Sequence, residues 1–272
     1  MKTSVRRTAQ VLAAWAVCLS VYAHEFWVET QPAQPRVGTP VALSLLVGEF
    51  FIGERVGVTA SHAASIQLIS AGAARDISER APRDGMLPGL QLVFDRPGAQ
   101  VLSYESHASL VTLSGDKFHA YLHDEGLEAI ARQRTAEGTA ASPGRERFRR
   151  SAKALIRVGG RSDATALRAT GQRIELIPLV DPLAGRAGER LSFELRFEGR
   201  PQPGILVKAW HKLGAQTTTI RATTDARGRF ELLLPFAGEW MLNAVHMVKA
   251  TDSSEVDWDS FWASLTFHLR GR

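Results

Sequence analysis

The segment LSFELRF at residues 191–197 decides the fold of this chain, because apolar and polar side chains alternate along it. Successive side chains of a β-strand point to opposite faces, so this strand would have one apolar face and one polar face. A helix would instead place apolar residues three or four positions apart. The segment therefore predicts a strand that buries one face in a core.

Other short segments have the same character and are separated by turn residues. Val41, Leu43, Leu45 and Val47 alternate along the chain, which gives this segment one apolar face. Further strands are predicted at residues 66–69, 90–94, 101–104, 110–113, 205–210, 230–234, 240–248 and 261–269. Short strands with frequent turns are typical of β-sandwiches. We therefore predict a mainly β protein with two β-sandwich domains of immunoglobulin or prealbumin type.

A helical segment is predicted between the two sandwiches. Asp116 can cap a helix through residues 118–122, and Gly126 interrupts it before a continuation over 127–134. Residues 145–157 carry apolar side chains at helical spacing, which predicts a second helix with its basic residues on a solvated face. The predicted domains are 24–114, an N-terminal β-sandwich; 115–171, a helical connector with a mobile loop; and 172–272, a C-terminal β-sandwich.

Residues 1–23 have the three regions of a secretory signal peptide. Lys2, Arg6 and Arg7 precede an apolar stretch over residues 11–21, and Ala23 offers a cleavage site. The apolar stretch is shorter than the roughly 20 residues that a membrane-spanning helix needs. We predict cleavage after Ala23 and export to the periplasm, with an uncleaved N-terminal anchor as the alternative.

The composition of the exported chain restricts its chemistry. Removal of three basic leader residues lowers the formal net charge from +5 to +2, and scattered charge of this size makes nucleic acid an unsuitable partner. The single cysteine, Cys18, lies in the leader. A metal site in the mature chain would therefore use imidazole, carboxylate or backbone donors, which suit Ni, Co, Cu or Zn.

His24 would become the first residue of the mature chain, and this position changes its chemistry. A terminal histidine offers an α-amino nitrogen and a ring nitrogen to one metal ion, and an internal histidine cannot do this. The α-amino group titrates near neutral pH, so protons compete little with a metal. A second histidine would complete a histidine brace, which favours Cu, and a more open site would suit Ni or Co. An exposed terminal histidine without a ligand role is the alternative.

Three further residues are candidate metal ligands. His246 lies in an apolar strand and is either a hydrogen-bonded core histidine or a ligand. Asp257, in the loop that follows, could supply an oxygen ligand or accept a hydrogen bond from a histidine ligand. Glu125 follows His119 and His123, whose spacing resembles a zinc motif without its general base, so the pair is predicted to be a surface feature.

Several motifs resemble those of the DUF4198 family, whose members are described as periplasmic components of cobalt or nickel uptake systems. The motifs are HEFW at residues 24–27, VGE at 47–49, YLHDEGL at 121–127, AKAL at 152–155, ELIPLVDP at 175–182, AVHM at 244–247 and DWDSFWASLTF at 257–267. The resemblance implies a periplasmic, non-enzymatic protein of β-sandwich domains. Its implied partners are a divalent transition metal and possible membrane metal transporters. It places His24, Glu125, His246 and Asp257 at positions typical of the family.

Two other functions remain open from the sequence. A copper histidine-brace oxidase acting on polysaccharide would share the exported β-sandwich and the terminal histidine. A structural or ligand-display sandwich would need no metal. The sequence contains no Gly-x-Ser-x-Gly motif and no glycine-rich phosphate loop, so a hydrolase of those types is not expected.

Overall fold

The computed structural model describes residues 24–57, 59, 61–81 and 89–272. The predicted signal peptide, residues 1–23, lies outside the described residues. Strands dominate the described part of the chain, and two α-helices join them. The mainly β prediction is confirmed. No helix in the described ranges has the length and apolarity needed to cross a membrane.

The elements follow one another along the chain with mostly short connections. They are β1 (Glu25–Gln31), β2 (Pro40–Glu49), β3 (Ile52–Val56), β4 (Ala63–Ser70), β5 (Ala73–Asp76), β6 (Leu90–Val93), β7 (Gly98–Ser106), β8 (Ser109–Leu113), α1 (Gly115–Asp124), α2 (Glu128–Ala136), β9 (Gly144–Val158), β10 (Ile174–Pro178), β11 (Arg190–Phe197), β12 (Arg200–Pro201), β13 (Leu206–Leu213), β14 (Gln216–Thr223), β15 (Arg229–Leu233), β16 (Gly238–Lys249) and β17 (Trp258–Leu269). Two 3-10 turns lie at Ser78–Arg80 and Ala164–Leu167.

A nine-stranded sheet forms the centre of the molecule. Its order is β14-β13-β16-β17-β9-β7-β4-β5, and β8 pairs with the free end of β9. Strands β17 and β9 run parallel, whereas the other neighbours in this sheet are antiparallel. The parallel pairing joins the last strand of the chain to a strand from its middle.

The two faces of the central sheet are covered by different layers. On β9, Leu155 belongs to the core beneath the small sheet β10-β11-β12-β15. Its neighbours Ala154 and Ile156 belong to the core beneath the small sheet of β1, β2, β3 and β6. This alternation follows from the period of two in a strand. Helices α1 and α2 lie on the same face as the N-terminal small sheet and pack against Val245 and Trp262.

The predicted helix over residues 145–157 is wrong, because this segment forms strand β9. Residues 151–158 are buried on both faces, since a layer covers each side of the central sheet at this point. A doubly covered strand loses its apolar–polar alternation, and its apolar residues then also fit a helical spacing. The predicted solvated basic face is wrong as well: Lys153 is fully buried beside Glu175, and Arg147 pairs with Asp259.

The predicted helical segment over residues 118–134 is confirmed by α1 and α2, but the predicted cap is wrong, because Ser114 is the N-cap residue and Asp116 lies in the first turn of α1. Gly126 separates the two helices at φ +70, a conformation that favours glycine. The central sheet takes strands from all three of the predicted segments 24–114, 115–171 and 172–272. The three predicted segments thus share one sheet, and the separation into two immunoglobulin-like domains stays a prediction.

Candidate functional site

His24 lies beside the end of strand β2. Strands β1 and β2 pair antiparallel with Glu25 opposite Gly48, which brings His24 next to Glu49. The Nδ1 atom of His24 lies 3.2 Å from Oε1 of Glu49. The side chain of His24 is 24% exposed and that of Glu49 is 61% exposed, so an ion from solvent can reach both.

A strained turn follows Glu49 directly. Phe50 and Phe51 connect β2 to β3, and both have a positive φ, 58° and 63°. This region is unfavourable for bulky side chains, so packing must stabilise the turn. The ring of Phe50 meets Trp210 edge to face at 5.5 Å, and the buried ring of Phe51 meets Trp27 at 5.3 Å.

Three charged side chains meet under this turn and form what we call the Lys208 cluster: Lys208, Glu125 and Glu25. Lys208 Nζ donates to Glu125 Oε1 at 2.7 Å and lies 3.9 Å from Glu25 Oε1. All three side chains are buried. Burial raises the pKa of Glu25 to about 7, although the charge of Lys208 acts in the opposite direction. Burial also raises the pKa of Glu125.

The Lys208 cluster, His24 and Glu49 line one cavity of about 440 Å³. We call it the charged cavity. Its other walls come from β8, α1, the strained turn, β13 and β14, through Leu113, Lys117, Ala120, Tyr121, Asp124, Phe50, Trp210 and Arg221. Acidic, basic and imidazole groups thus converge in a space large enough for a small ligand or a hydrated ion.

A third buried carboxylate lies behind the wall of the charged cavity. Glu146 accepts hydrogen bonds from Tyr121 Oη at 3.2 Å and from the hydroxyl of Ser260. Trp262 Nε1 donates to Ser260 Oγ at 3.2 Å, and the ring of Trp262 stacks on Tyr121. Burial raises the pKa of Glu146 to about 7, although these hydrogen bonds act in the opposite direction.

The structure brings together two of the four predicted ligands. His24 and Glu125 line the same cavity. His246 is half-buried and packs its ring on Phe197 at 4.7 Å, on the opposite face of the central sheet, and burial lowers its pKa. Asp257 accepts hydrogen bonds from Arg145 at 2.6 and 3.1 Å, which lower the pKa of Asp257. Neither His246 nor Asp257 lines the charged cavity.

Sequence reasoning missed Glu49, Glu25 and Lys208 as members of the site. The VGE motif contains Glu49, but its contact with His24 depends on the register between β1 and β2. His119 is exposed on α1, and His123 Nδ1 lies 2.6 Å from Glu128 at the surface, as predicted for this pair. Within the described residues, no group of three or more His, Cys, Asp and Glu side chains lies close enough together to hold a metal ion.

These features define a layered, mainly β protein whose N-terminal strand, helices and C-terminal half meet at a charged cavity. A family model described as "Domain of unknown function (DUF4198)" matches residues 21–248. The chain therefore belongs to the DUF4198 family, and the resemblance seen in the sequence motifs is confirmed. No curated protein matches the chain.

The solved structures with distant similarity to this chain include the following three. Escherichia coli alpha-2-macroglobulin activated by porcine elastase is 12% identical with a TM-score of 0.23, over 91% of this chain and 22% of that one. The native conformation of E. coli alpha-2-macroglobulin is 14% identical with a TM-score of 0.21, over 92% of this chain and 17% of that one. The D00-D0 domain of intimin is 9% identical with a TM-score of 0.20, over 89% of this chain and 99% of that one. The chain thus spans about a fifth of the macroglobulins, and the low scores support no functional transfer.

Proposed function

We propose that this protein is exported to the periplasm and cleaved after Ala23. It binds a divalent transition metal, with nickel or cobalt preferred, and assists a membrane metal-uptake system. The proximity of His24 to Glu49 is the observation that carries the proposal. Nδ1 and Oε1 lie 3.2 Å apart at the rim of the charged cavity, and both are accessible. One metal ion could replace the direct contact between these two groups.

The donor chemistry of the cleaved chain fits such a metal. Cleavage would give His24 a free α-amino group next to its ring, so two residues would supply two nitrogen donors and one carboxylate oxygen. Borderline metals such as Ni, Co, Cu and Zn accept this donor set. Glu125 accepts the hydrogen bond of Lys208, so its role in the proposal is to support the cavity wall.

The proposal gives the protein a binding role and no catalytic one. A copper histidine brace would need a second histidine at the metal, and the predicted partner His246 lies against Phe197 on the opposite face of the central sheet from His24. The same position removes His246 from the proposed ligand set. Asp257 is removed because it makes a two-point contact with Arg145.

The test is calorimetric titration of the exported protein with Ni, Co, Cu and Zn, after N-terminal sequencing has established a start at His24. We expect binding at micromolar concentration or tighter, and a loss of about tenfold or more in the variants His24→Ala and Glu49→Gln. A glycine inserted before His24 keeps the imidazole but moves the amine away, and should weaken binding similarly. His246→Ala and Asp257→Asn are the matched controls and should bind normally. Absence of binding in the wild type, or a loss confined to His246→Ala, would overturn the proposal.

A further inference from the structure

A large apolar cleft adjoins the charged cavity. It encloses about 1200 Å³ between the β2–β3 hairpin and strands β7, β8 and β9. Its apolar lining comes mainly from Phe26, Leu45, Val47, Tyr104 and Phe148. Ile52 and Leu110, which also line it, are 56% and 66% exposed. Exposed apolar side chains beside an apolar cleft of this size are typical of a ligand site.

Arg150 is a charged side chain in the lining of this cleft. Its guanidinium lies 5.1 Å from the ring centre of Phe26 and 4.8 Å from that of Phe148. The Nε and Nη2 atoms are shielded from solvent and have no hydrogen-bond partner. Among the described residues, no carboxylate oxygen lies within 4.0 Å of this guanidinium.

Three of the other four arginines of strand β9 form ion pairs, and the fourth, Arg157, donates to Gln34 and to the carbonyl of Leu183. Arg145 pairs with Asp257, and Arg147 and Arg149 pair with Asp259. The buried carboxylate of Glu146 acts on Arg150 at longer range without an ion pair, and burial lowers the pKa of Arg150 to about 10. A shielded charge without a counter-ion is costly, so a partner from outside the chain is expected.

We propose that the apolar cleft binds a long-chain monocarboxylic acid, with its carboxylate on Arg150 and its hydrocarbon chain along the aromatic and aliphatic lining. A guanidinium donates strong, charge-assisted hydrogen bonds to a carboxylate. Since Nε and Nη2 are shielded, the acid would meet Arg150 at Nη1, which is not among the shielded atoms. The two aromatic rings beside the guanidinium exclude water from this contact and strengthen it. An inorganic anion would satisfy the charge but leave the apolar lining in water.

The ligand would enter from the side of β8 and the β2–β3 hairpin, where Leu110 and Ile52 are exposed. His24, Glu49 and Phe50 line both the apolar cleft and the charged cavity. A bound acid would therefore lie next to the proposed metal ligands. The inference itself depends only on Arg150 and the apolar lining, and it does not require a metal.

The test is displacement of a fluorescent fatty-acid probe from the exported protein by decanoate and by 1-decanol, with a chelator present so that metals play no part. The two compounds have the same chain length, and only decanoate is charged. We expect decanoate to bind at least about tenfold more tightly than 1-decanol in the wild type, because a charge-assisted hydrogen bond is lost with the alcohol. Equal affinities for the two compounds would overturn the proposal.

The variant Arg150→Gln should remove the preference for decanoate and leave the binding of 1-decanol unchanged. Arg132→Gln removes an exposed arginine from α2 and is the matched control, with wild-type preference expected. Leu110→Glu, at an exposed position of the lining, adds a negative charge without disturbing the core and should weaken decanoate more than 1-decanol. Unchanged decanoate binding in both Arg150→Gln and Leu110→Glu would also overturn the proposal.

Discussion

Lys208 Nζ lies 2.7 Å from Glu125 Oε1 in the buried interior, and this contact links distant parts of the chain. Lys208 belongs to β13 of the central sheet, and Glu125 ends helix α1. Glu25 of the first strand lies 3.9 Å from the same ammonium group. The Lys208 cluster therefore holds the first strand, the helices and the central sheet around the charged cavity.

Replacing Lys208 with methionine should destabilise the protein strongly. The substitution keeps the length of the side chain but leaves Glu125 and Glu25 buried without a cation. Breaking a buried ion pair in this way costs about 3–5 kcal/mol of the free energy of unfolding. Urea-induced unfolding of Lys208→Met and the wild type at pH 7.5 measures this difference.

Lys212→Met is the matched control, because Lys212 lies on the same strand but is partly exposed. Its Nζ lies 3.4 Å from Glu29, a contact that is screened by solvent and contributes less than about 1 kcal/mol. Adding Glu125→Gln to Lys208→Met should recover part of the lost stability. Equal effects of the two lysine substitutions would contradict the role assigned to the Lys208 cluster.

The stability contributed by Glu25 and Glu146 should fall as the pH rises from about 5 to about 8, whereas the lowered pKa of His246 acts in the opposite direction below its ordinary value of 6.5. Burial raises the pKa of both Glu25 and Glu146 to about 7 in the folded state, above the ordinary value of 4.5. The folded state then binds more protons than the unfolded state between these values. The stability from each protonated carboxyl is fully present below pH 4.5 and is lost as the pH rises through 7.

The variant Glu146→Gln isolates one of these two groups. Glutamine keeps the shape of the side chain but cannot ionise. The change in the free energy of unfolding between pH 5 and pH 8 should therefore be smaller in the variant than in the wild type, by on the order of 1–3 kcal/mol. Chemical unfolding at several pH values provides the measurement. Glu79→Gln, at an exposed position, is the control and should follow the wild-type curve. A curve for Glu146→Gln as steep as that of the wild type would show that Glu146 does not titrate in this range.

The sequence predicts strands well where only one face of a strand is buried. Strand β11 alternates along its length and forms at Arg190–Phe197, within one residue of the prediction. Strand β9 lies at the centre of the molecule with both faces covered, and its alternation is lost there. Local spacing cannot tell such a strand from a buried helix. The wrong prediction at residues 145–157 thus reflects the three-layer packing, which no short segment encodes.

The site was only partly predictable for a similar reason. His24 is recognisable because its chemistry depends on its own position next to a cleavage motif. Glu49 joins it through the register of an antiparallel strand pair. Lysine is rarely buried, so the sequence does not mark Lys208 as a site residue. Its role is recognisable only in the folded chain, where Glu125 and Glu25 lie beside it. Contacts between residues this far apart in the chain leave no local pattern.

The strained turn beside His24 should be more stable with glycine than with alanine at position 50. Phe50 has φ 58°, a region where an L-residue other than glycine pays about 1 kcal/mol or more. The variants Phe50→Gly and Phe50→Ala both lose the contact of the ring with Trp210, so their difference reports the backbone alone. We expect Phe50→Gly to unfold at a higher urea concentration, by about 1 kcal/mol. In ordinary strand positions, a glycine variant is about 0.5–1 kcal/mol less stable than an alanine variant. A less stable Phe50→Gly than Phe50→Ala would therefore show that the turn is unstrained.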